Sequence, residues 1–460
     1  MLHDTGFAPG EDPLLPGPWL ALEEEAEIPR LALAEGTLDA RSAYQAVHDE
    51  LMLDGNPRLN LATFVTTWME PEARQLFDEC LDKNLIDKDE YPRTAELERR
   101  CVNILANLWH ADPENAIGCS TTGSSEACML GGLALERRWR ARRRSVDGEA
   151  RGRRPNLVFG SNVQVVWEKF CRYWDVEARA VPVGDGVTHL HPDRAAGACD
   201  EHTIGVVAIL GSTFDGSYEP VAKICAALDR LQDERGLDVP VHVDAASGGF
   251  IAPFLDRDLV WDFQLPRVQS INTSGHKYGL VYPGVGWAIW RDREALPEEL
   301  VFRVDYLGGD MPTFSLNFSR PGAQVVAQYY QFVRLGRRGY ERLHAVSRDT
   351  AMWLAERIGE LRPFELLSGG SDLPVFAFRL REEIDEYTVY DVSRALRAEG
   401  WLVPAYAMPE GMEDVSVLRV VVRSGFSRDL GAIFLDSLGR AVRELESRGG
   451  DHKRDVAFHH

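Results

Sequence analysis

Two residues carry the sharpest chemical suggestion in this chain. Asp244 ends the apolar run Val241-His242-Val243-Asp244, and Lys277, 33 residues later, ends Ser274-Gly275-His276-Lys277 after a second apolar run. A lysine amine can form a Schiff base with an aldehyde. A carboxylate can hold a pyridine nitrogen protonated, which makes the ring an electron sink. An Asp and a Lys, each closing an apolar strand, are what an enzyme using pyridoxal 5'-phosphate (PLP) needs; either alone is an ordinary surface residue. A third segment points the same way. Thr121-Thr122-Gly123-Ser124-Ser125-Glu126 precedes the apolar helical run Ala127–Leu135. A helix start leaves N–H groups unpaired and attracts anions, so Ser124 and Ser125 are candidates for a phosphate. Taken alone they read better as helix caps; beside Asp244 and Lys277 the phosphate reading is the better one.

The elements that must position these residues alternate along the chain. Strand-like runs fall at Asn156–Phe159, Ala178–Val183, Ile204–Leu210, Val239–Asp244, Val268–Asn272 and Val285–Trp290, with helical stretches such as Val221–Arg235 between several of them. Near-continuous apolar strands alternating with helices predict an α/β fold with a mostly parallel central sheet covered on both faces. Before this region lie a Pro- and Glu-rich arm, a helical stretch over 37–58 and a helix over Thr94–His110. A long helical stretch, Ala323–Leu361, leads into strands at Val375–Arg379 and Ser416–Val422 and helices near Thr388–Glu399 and Asp429–Ser447, a small α+β lobe. The expected organisation is an N-terminal arm and helix (1–58), a large PLP-binding domain (59–345), a small C-terminal domain (346–450) and a flexible tail (451–460).

Composition narrows the function. Lys+Arg 51 against Asp+Glu 72 gives a net charge of −21, which argues against nucleic acid or an anionic membrane as partner. Seven cysteines with no C-x-x-C spacing read as buried free thiols in a reducing compartment, hence a cytoplasmic protein. No apolar window is long enough to span a membrane, and Met1-Leu2-His3-Asp4 lacks the look of a secretory signal. No metal site is read. The Arg-rich stretch Arg137–Arg154 reads as an exposed helix end and polar loop.

Five segments together resemble a known family: Asn60-Leu61-Ala62-Thr63-Phe64, Gly123-Ser124-Ser125-Glu126-Ala127, His242-Val243-Asp244-Ala245-Ala246-Ser247-Gly248-Gly249-Phe250, Ser274-Gly275-His276-Lys277-Tyr278-Gly279 and Asn317-Phe318-Ser319-Arg320-Pro321. In order and spacing they are similar to the glutamate decarboxylases of the bacterial and plant kind, within the PLP-dependent group II decarboxylases. The resemblance runs from about residue 37 to about 447. It implies the PLP-dependent transferase-like fold (fold type I) and assigns roles. Lys277 would be the cofactor lysine and Asp244 the pyridinium partner. Ser124, Ser125, Ser274 and His276 fall on phosphate-binding positions, and Ser319 would reach the phosphate of a neighbouring subunit, so that a dimer is the minimal active unit; a hexamer is the implied assembly. Gln164 would lie over the ring, Ala246 under it and Thr213 near the cofactor hydroxyl. Thr63, Asn84 and the Phe64 backbone match positions that hold the distal carboxylate of glutamate. Arg423 matches the arginine for the α-carboxylate. Asp87 falls in the same segment as Asn84; an aspartate beside a substrate carboxylate repels it unless one is protonated, so Asp87 is expected to carry a proton when glutamate binds.

The implied reaction is decarboxylation of L-glutamate to γ-aminobutyrate and CO₂ through a PLP external aldimine and quinonoid, with one proton consumed per turnover. The tail Asp455-Val456-Ala457-Phe458-His459-His460 matches relatives that close their site at neutral pH with a terminal histidine, so His459 and His460 are regulatory candidates. The tail has no Trp and no amphipathic length for calmodulin. Competing readings are a PLP enzyme for another small amino acid (aspartate, cysteine sulfinate or an aromatic one), which Thr63, Asn84 and Gln164 argue against, and a non-catalytic homologue, which retention of Lys277 and Asp244 argues against.

Overall fold

The computed structural model describes residues 29–112, 114–147, 154–184, 186–304 and 311–448. The chain divides into two compact units, residues 1–57 and 58–460. The first contains the helix Ala40–Leu51, whose start is capped by the Asp39 side chain accepting from the N–H groups of Arg41 and Ser42.

The second unit is built around a seven-stranded sheet. Its strands are β1 (Ile117–Thr121), β2 (Asn156–Gly160), β3 (Glu177–Val181), β4 (Thr203–Ile209), β5 (Val241–Asp244), β6 (Val268–Ser274) and β7 (Gly286–Trp290), in the order β1-β7-β6-β5-β4-β2-β3. Only β7 runs against its neighbours; the other pairings are parallel. The expected runs are all strands, with ends moved by one or two residues. β1 is an added strand. Its sequence, Ile-Gly-Cys-Ser-Thr, is too short and too poor in large apolar residues to announce itself, and its pairing with the fully buried β7 is what makes it a strand. β4 is buried along its whole length, as a parallel strand covered on both faces must be.

β7 opens with a glycine for a steric reason. Gly286 lies opposite both Thr121 of β1 and Ser274 of β6. A Cβ there would fall 2.4 Å from the carbonyl carbon of Gly123 and 2.7 Å from Thr121 Oγ1. The bare backbone lets the loop after β1 fold over the sheet and start the helix Ser124–Asp147 beside the ends of β6 and β7.

A hairpin, β8 (Phe302–Val304) with β9 (Met311–Thr313), precedes the long helix Ala323–Gly359, which is broken at Gly336 (φ 53°). The C-terminal lobe is a four-stranded antiparallel sheet of β10 (Phe364–Leu366), β11 (Val375–Leu380), β12 (Ala405–Ala407) and β13 (Ser416–Val421), in the order β10-β11-β13-β12. Helices Val389–Ala398 and Arg428–Arg448 cover it. The first is closed by a capping box between Thr388 and Asp391. Phe364, Phe376, Phe378, Trp401 and Phe434 form the centre of this second core, and Leu61, from the segment before the large sheet, joins it. The segment is stitched to the lobe by Leu61 N–H donating to Leu402 O and Val421 N–H donating to Leu61 O, each at 2.9 Å. Among the described residues no helix is long and apolar enough to cross a membrane, and all seven cysteines are buried and unpaired.

Candidate active site

The carboxyl ends of β5 and β6 bring Asp244, Ala246, Ser274, His276 and Lys277 together, where open α/β sheets place their ligands. Asp244 is 5% exposed and each of its oxygens has two donors. Oδ1 accepts from Asn272 Nδ2 at 3.0 Å and from the Ala246 N–H at 3.2 Å. Oδ2 accepts from the indole N–H of Trp167 at 2.9 Å and the Cys128 thiol at 3.5 Å. Four donors on one carboxylate hold it in a fixed orientation in a buried site. Lys277 Nζ donates to Ser247 Oγ at 3.3 Å and sits 5.1 Å over the Phe64 ring. Burial pushes its pKa down, with the Asp244 charge pulling the other way, the condition in which an amine becomes a nucleophile.

Three groups converge near the start of the helix Ser124–Asp147. The buried Ser274 Oγ and His276 Nδ1 have no hydrogen-bond partner, and a Cβ on Gly123 would lie 3.2 Å from His276 Cε1. Burial and the neighbouring Lys277 charge push His276 down to about 4. Ser124 is half-buried and Ser125 exposed in that first turn. Orphaned polar atoms beside a helix N-terminus fit a phosphate, which would satisfy both. The residues present therefore fit PLP: Lys277 for its aldehyde, Asp244 for its ring nitrogen, and Ser124, Ser125, Ser274 and His276 for its phosphate. Glu126, buried in the same turn, accepts from Thr122 N and Oγ1 and from the N–H groups of Leu316 and Asn317, fastening that loop to the segment before Ser319.

Gln164 is tied to Asp244 through one short helix. Its Oε1 accepts from Val166 N at 2.7 Å, at the first residue of the helix Val166–Tyr173 that carries Trp167. The loop with Thr63 and Phe64 docks on the lysine turn: Thr66 N donates to His276 O and Thr66 Oγ1 to Lys277 O, both at 2.7 Å. Thr63 Oγ1 accepts from Val65 N at 3.1 Å. Arg423 grips the same loop, with NH1 on Val65 O and Thr67 Oγ1 at 2.9 Å and NH2 on Asn60 O at 2.6 Å. Thr213 is half-buried, and its carbonyl accepts from Arg419.

Asn84, Asp87 and Ser319 form a second group. Asn84 Nδ2 donates to Ser319 Oγ at 3.4 Å and its Oδ1 accepts from Arg320 N at 3.1 Å; Asp87 N–H donates to Asn84 O at 3.1 Å. Ser319 is exposed. No hydrogen bond among the described residues joins Asn84 or Ser319 to Asp244, Lys277 or the Thr63 loop. Arg320, buried, anchors this group to β1 through Ser120 O at 2.6 Å. His459 and His460 lie outside the described residues.

Sequence reasoning missed Trp167, Asn272 and Arg419. Arg419, buried, stands over Phe64 at 5.0 Å and Tyr406 at 5.6 Å and donates to Ala62 O at 2.7 Å. Its signal was a charge inside the otherwise apolar strand Ser416–Val421. For Asn272 the signal was Ser270, Asn272 and Ser274 alternating with apolar or small neighbours in a strand that the fold buries on both faces. Trp167 had none, because its role depends on a contact with Asp244, 77 residues away.

Residues 35–381 match the pyridoxal-dependent decarboxylase conserved domain, and the chain belongs to that family. It is 50% identical over 456 residues to a glutamate decarboxylase of Aliivibrio fischeri, with 98% of each chain covered. It is 50% identical over 428 residues to glutamate decarboxylase 5 of Arabidopsis thaliana, covering 92% of this chain and 85% of that one. The glutamate decarboxylase structure of Lactobacillus brevis matches with a TM-score of 0.89 at 46% identity, over 95% of this chain and 98% of the other. A sphingosine-1-phosphate lyase of Burkholderia pseudomallei shares the fold, with a TM-score of 0.75 at 21% identity over 92% of this chain and 96% of that one.

Proposed function

We propose that this chain is a PLP-dependent enzyme that decarboxylates L-glutamate to γ-aminobutyrate and CO₂. The observation that carries the proposal is the half-identity, over nearly the whole of both chains, to an enzyme of that name, joined to a site in which a half-buried lysine and a four-donor carboxylate meet at the carboxyl ends of β5 and β6. PLP, when bound, supplies the electron-withdrawing ring that accepts the electron pair left by CO₂. Lys277 would hold the cofactor by its aldehyde. Asp244 would hold the ring nitrogen protonated, Ala246 and Gln164 would pack against the ring, and Thr213 would hold the cofactor hydroxyl. Ser124, Ser125, Ser274 and His276 hold the phosphate, where an anion facing the orphan Nδ1 favours the protonated imidazole.

Thr63 and the Phe64 backbone take the distal carboxylate of the substrate, and Arg423 its α-carboxylate. The guanidinium of Arg423 already holds the Thr63 loop, so one side chain would link loop closure to substrate orientation. Asn84, Asp87 and Ser319 act on the site of a second subunit; the exposed Ser319 and its bond to Asn84 support a shared, outward-facing group. The active unit is then at least a homodimer, assembled into a hexamer. Seven unpaired buried thiols support a cytoplasmic setting, where uptake of one proton per turnover favours a role in acid resistance.

The test is CO₂ and γ-aminobutyrate release from L-glutamate by the PLP-loaded enzyme from acid to neutral pH, with aspartate, cysteine sulfinate and aromatic amino acids in parallel. Turnover confined to glutamate and falling as pH rises is expected. Turnover of another amino acid in its place would overturn the substrate assignment and leave the cofactor assignment standing.

A further inference from the structure

Behind Asp244, β5 and β6 carry a row of paired polar side chains in an otherwise apolar sheet. The parallel register sets His242 opposite Ser270 and Asp244 opposite Asn272, and all four are buried. Asn272 Nδ2 donates to Asp244 Oδ1 at 3.0 Å. This fixes the amide, because the flipped orientation would set its oxygen against a carboxylate. The amide oxygen then faces His242 Nε2 at 2.8 Å, so Nε2 carries the proton. Nδ1, 2.7 Å from Ser270 Oγ, is left as acceptor, with the Ser270 hydroxyl donating. Burial lowers the His242 pKa against the pull of Asp244, which favours this neutral tautomer. The ring has no room to turn. It meets the Trp167 ring edge to face at 5.0 Å, and on its other side a Cβ on Gly131 would lie 2.5 Å from Cε1.

None of the roles proposed above uses His242, Asn272 or Ser270. We propose that His242 is a positioning residue: with its Nε2–H on the Asn272 amide oxygen and its Nδ1 accepting from Ser270, it locks the Asn272 amide and through it fixes the rotation of the Asp244 carboxylate. A carboxylate free to rotate in a buried site would trade its Asn272 bond for a poorer one and hold a ring nitrogen's proton less well. The relay rests on the proposed reading of Asp244 as the cofactor's partner.

The test compares the PLP-loaded wild type with His242→Leu, His242→Gln, Ser270→Ala and Asp244→Asn. For each, the pH midpoint of the cofactor's visible absorption and the PLP dissociation constant are measured. A protonated ring nitrogen lowers the proton affinity of the imine conjugated to it, so weakening Asp244 moves the midpoint up. His242→Leu removes the donor to Asn272, and we expect an upward shift and about tenfold weaker PLP binding, the loss of one hydrogen bond to a charged group. His242→Gln restores a donor and should return both values toward wild type. Ser270→Ala keeps the ring but leaves Nδ1 without its donor, loosening the imidazole, and should fall between; it carries the test if His242→Leu does not fold. Wild-type midpoint and affinity in Ser270→Ala and in any folded His242→Leu would overturn the relay, whatever happens to the melting temperature. If Asp244→Asn alone moves both values, the cofactor role of Asp244 stands and the relay is wrong. If Asp244→Asn is also silent, that cofactor role falls and the relay with it.

Discussion

At the scale of single residues, the environment of Lys277 decides whether it acts as a charge or as a nucleophile. Lys277 is half-buried, the acceptor its amine meets among the described residues is a neutral hydroxyl, and burial pushes its pKa down. Such an amine loses its proton more readily than a surface lysine, as carrying a cofactor aldehyde requires. Lys277→Ala should abolish the visible band of a lysine-bound cofactor and lower kcat by about 10³-fold or more. Lys277→Arg separates the two roles. It keeps the positive charge but cannot deprotonate, so it should be as inactive as the alanine variant if Lys277 is the nucleophile. Activity in Lys277→Arg near that of wild type would mean that only charge is needed.

At the scale of elements, the fold reads better from the sequence than the site does. Runs such as Ile204–Leu210 and Val239–Asp244 announce parallel strands because burial on both faces demands apolar residues throughout. Asp244 and Lys277 are legible because they break that pattern at strand ends. What surrounds them is not, because it depends on register. Nothing local says that Asn272 will face Asp244, or that β1 exists; both follow from neighbours distant in the chain. Gly286 shows how tightly register builds the cradle. Gly286→Ala would place a methyl 2.4 Å from the Gly123 carbonyl carbon. The loop after β1 must then lift from the sheet, at a cost of about 1–3 kcal/mol. PLP titration should show weaker binding in this variant, and pyridoxal without its phosphate should be less affected. Equal loss for both ligands would place the damage outside the phosphate cradle.

At the scale of the molecule, the site's chemistry and the stability of the core pull in opposite directions as pH falls. A reaction that takes up a proton per turnover is favoured as pH falls, yet the interior holds imidazoles that burial keeps neutral: His242 shifted down and His344 to about 3. His344 is the simplest case. It projects from the helix Ala323–Gly359 among the rings of Phe254, Tyr278 and Tyr340, its Nε2 has no partner, and burial alone accounts for its shift. The unfolded chain binds a proton at this histidine below about 6.5, whereas the folded chain does so only below about 3. Between those values the unfolded state binds more protons, so folding stability declines as pH drops. His344→Phe keeps a ring in the cluster and removes the titration. Denaturant melts of the holoenzyme should show the variant close to wild type at neutral pH and more stable by about 1–3 kcal/mol at pH 4. A gain of the same size at both pH values would mean that ring packing, not the buried imidazole, sets the difference. The expected pattern would show that the buried imidazole, and not the packing of its ring, costs the core stability in acid.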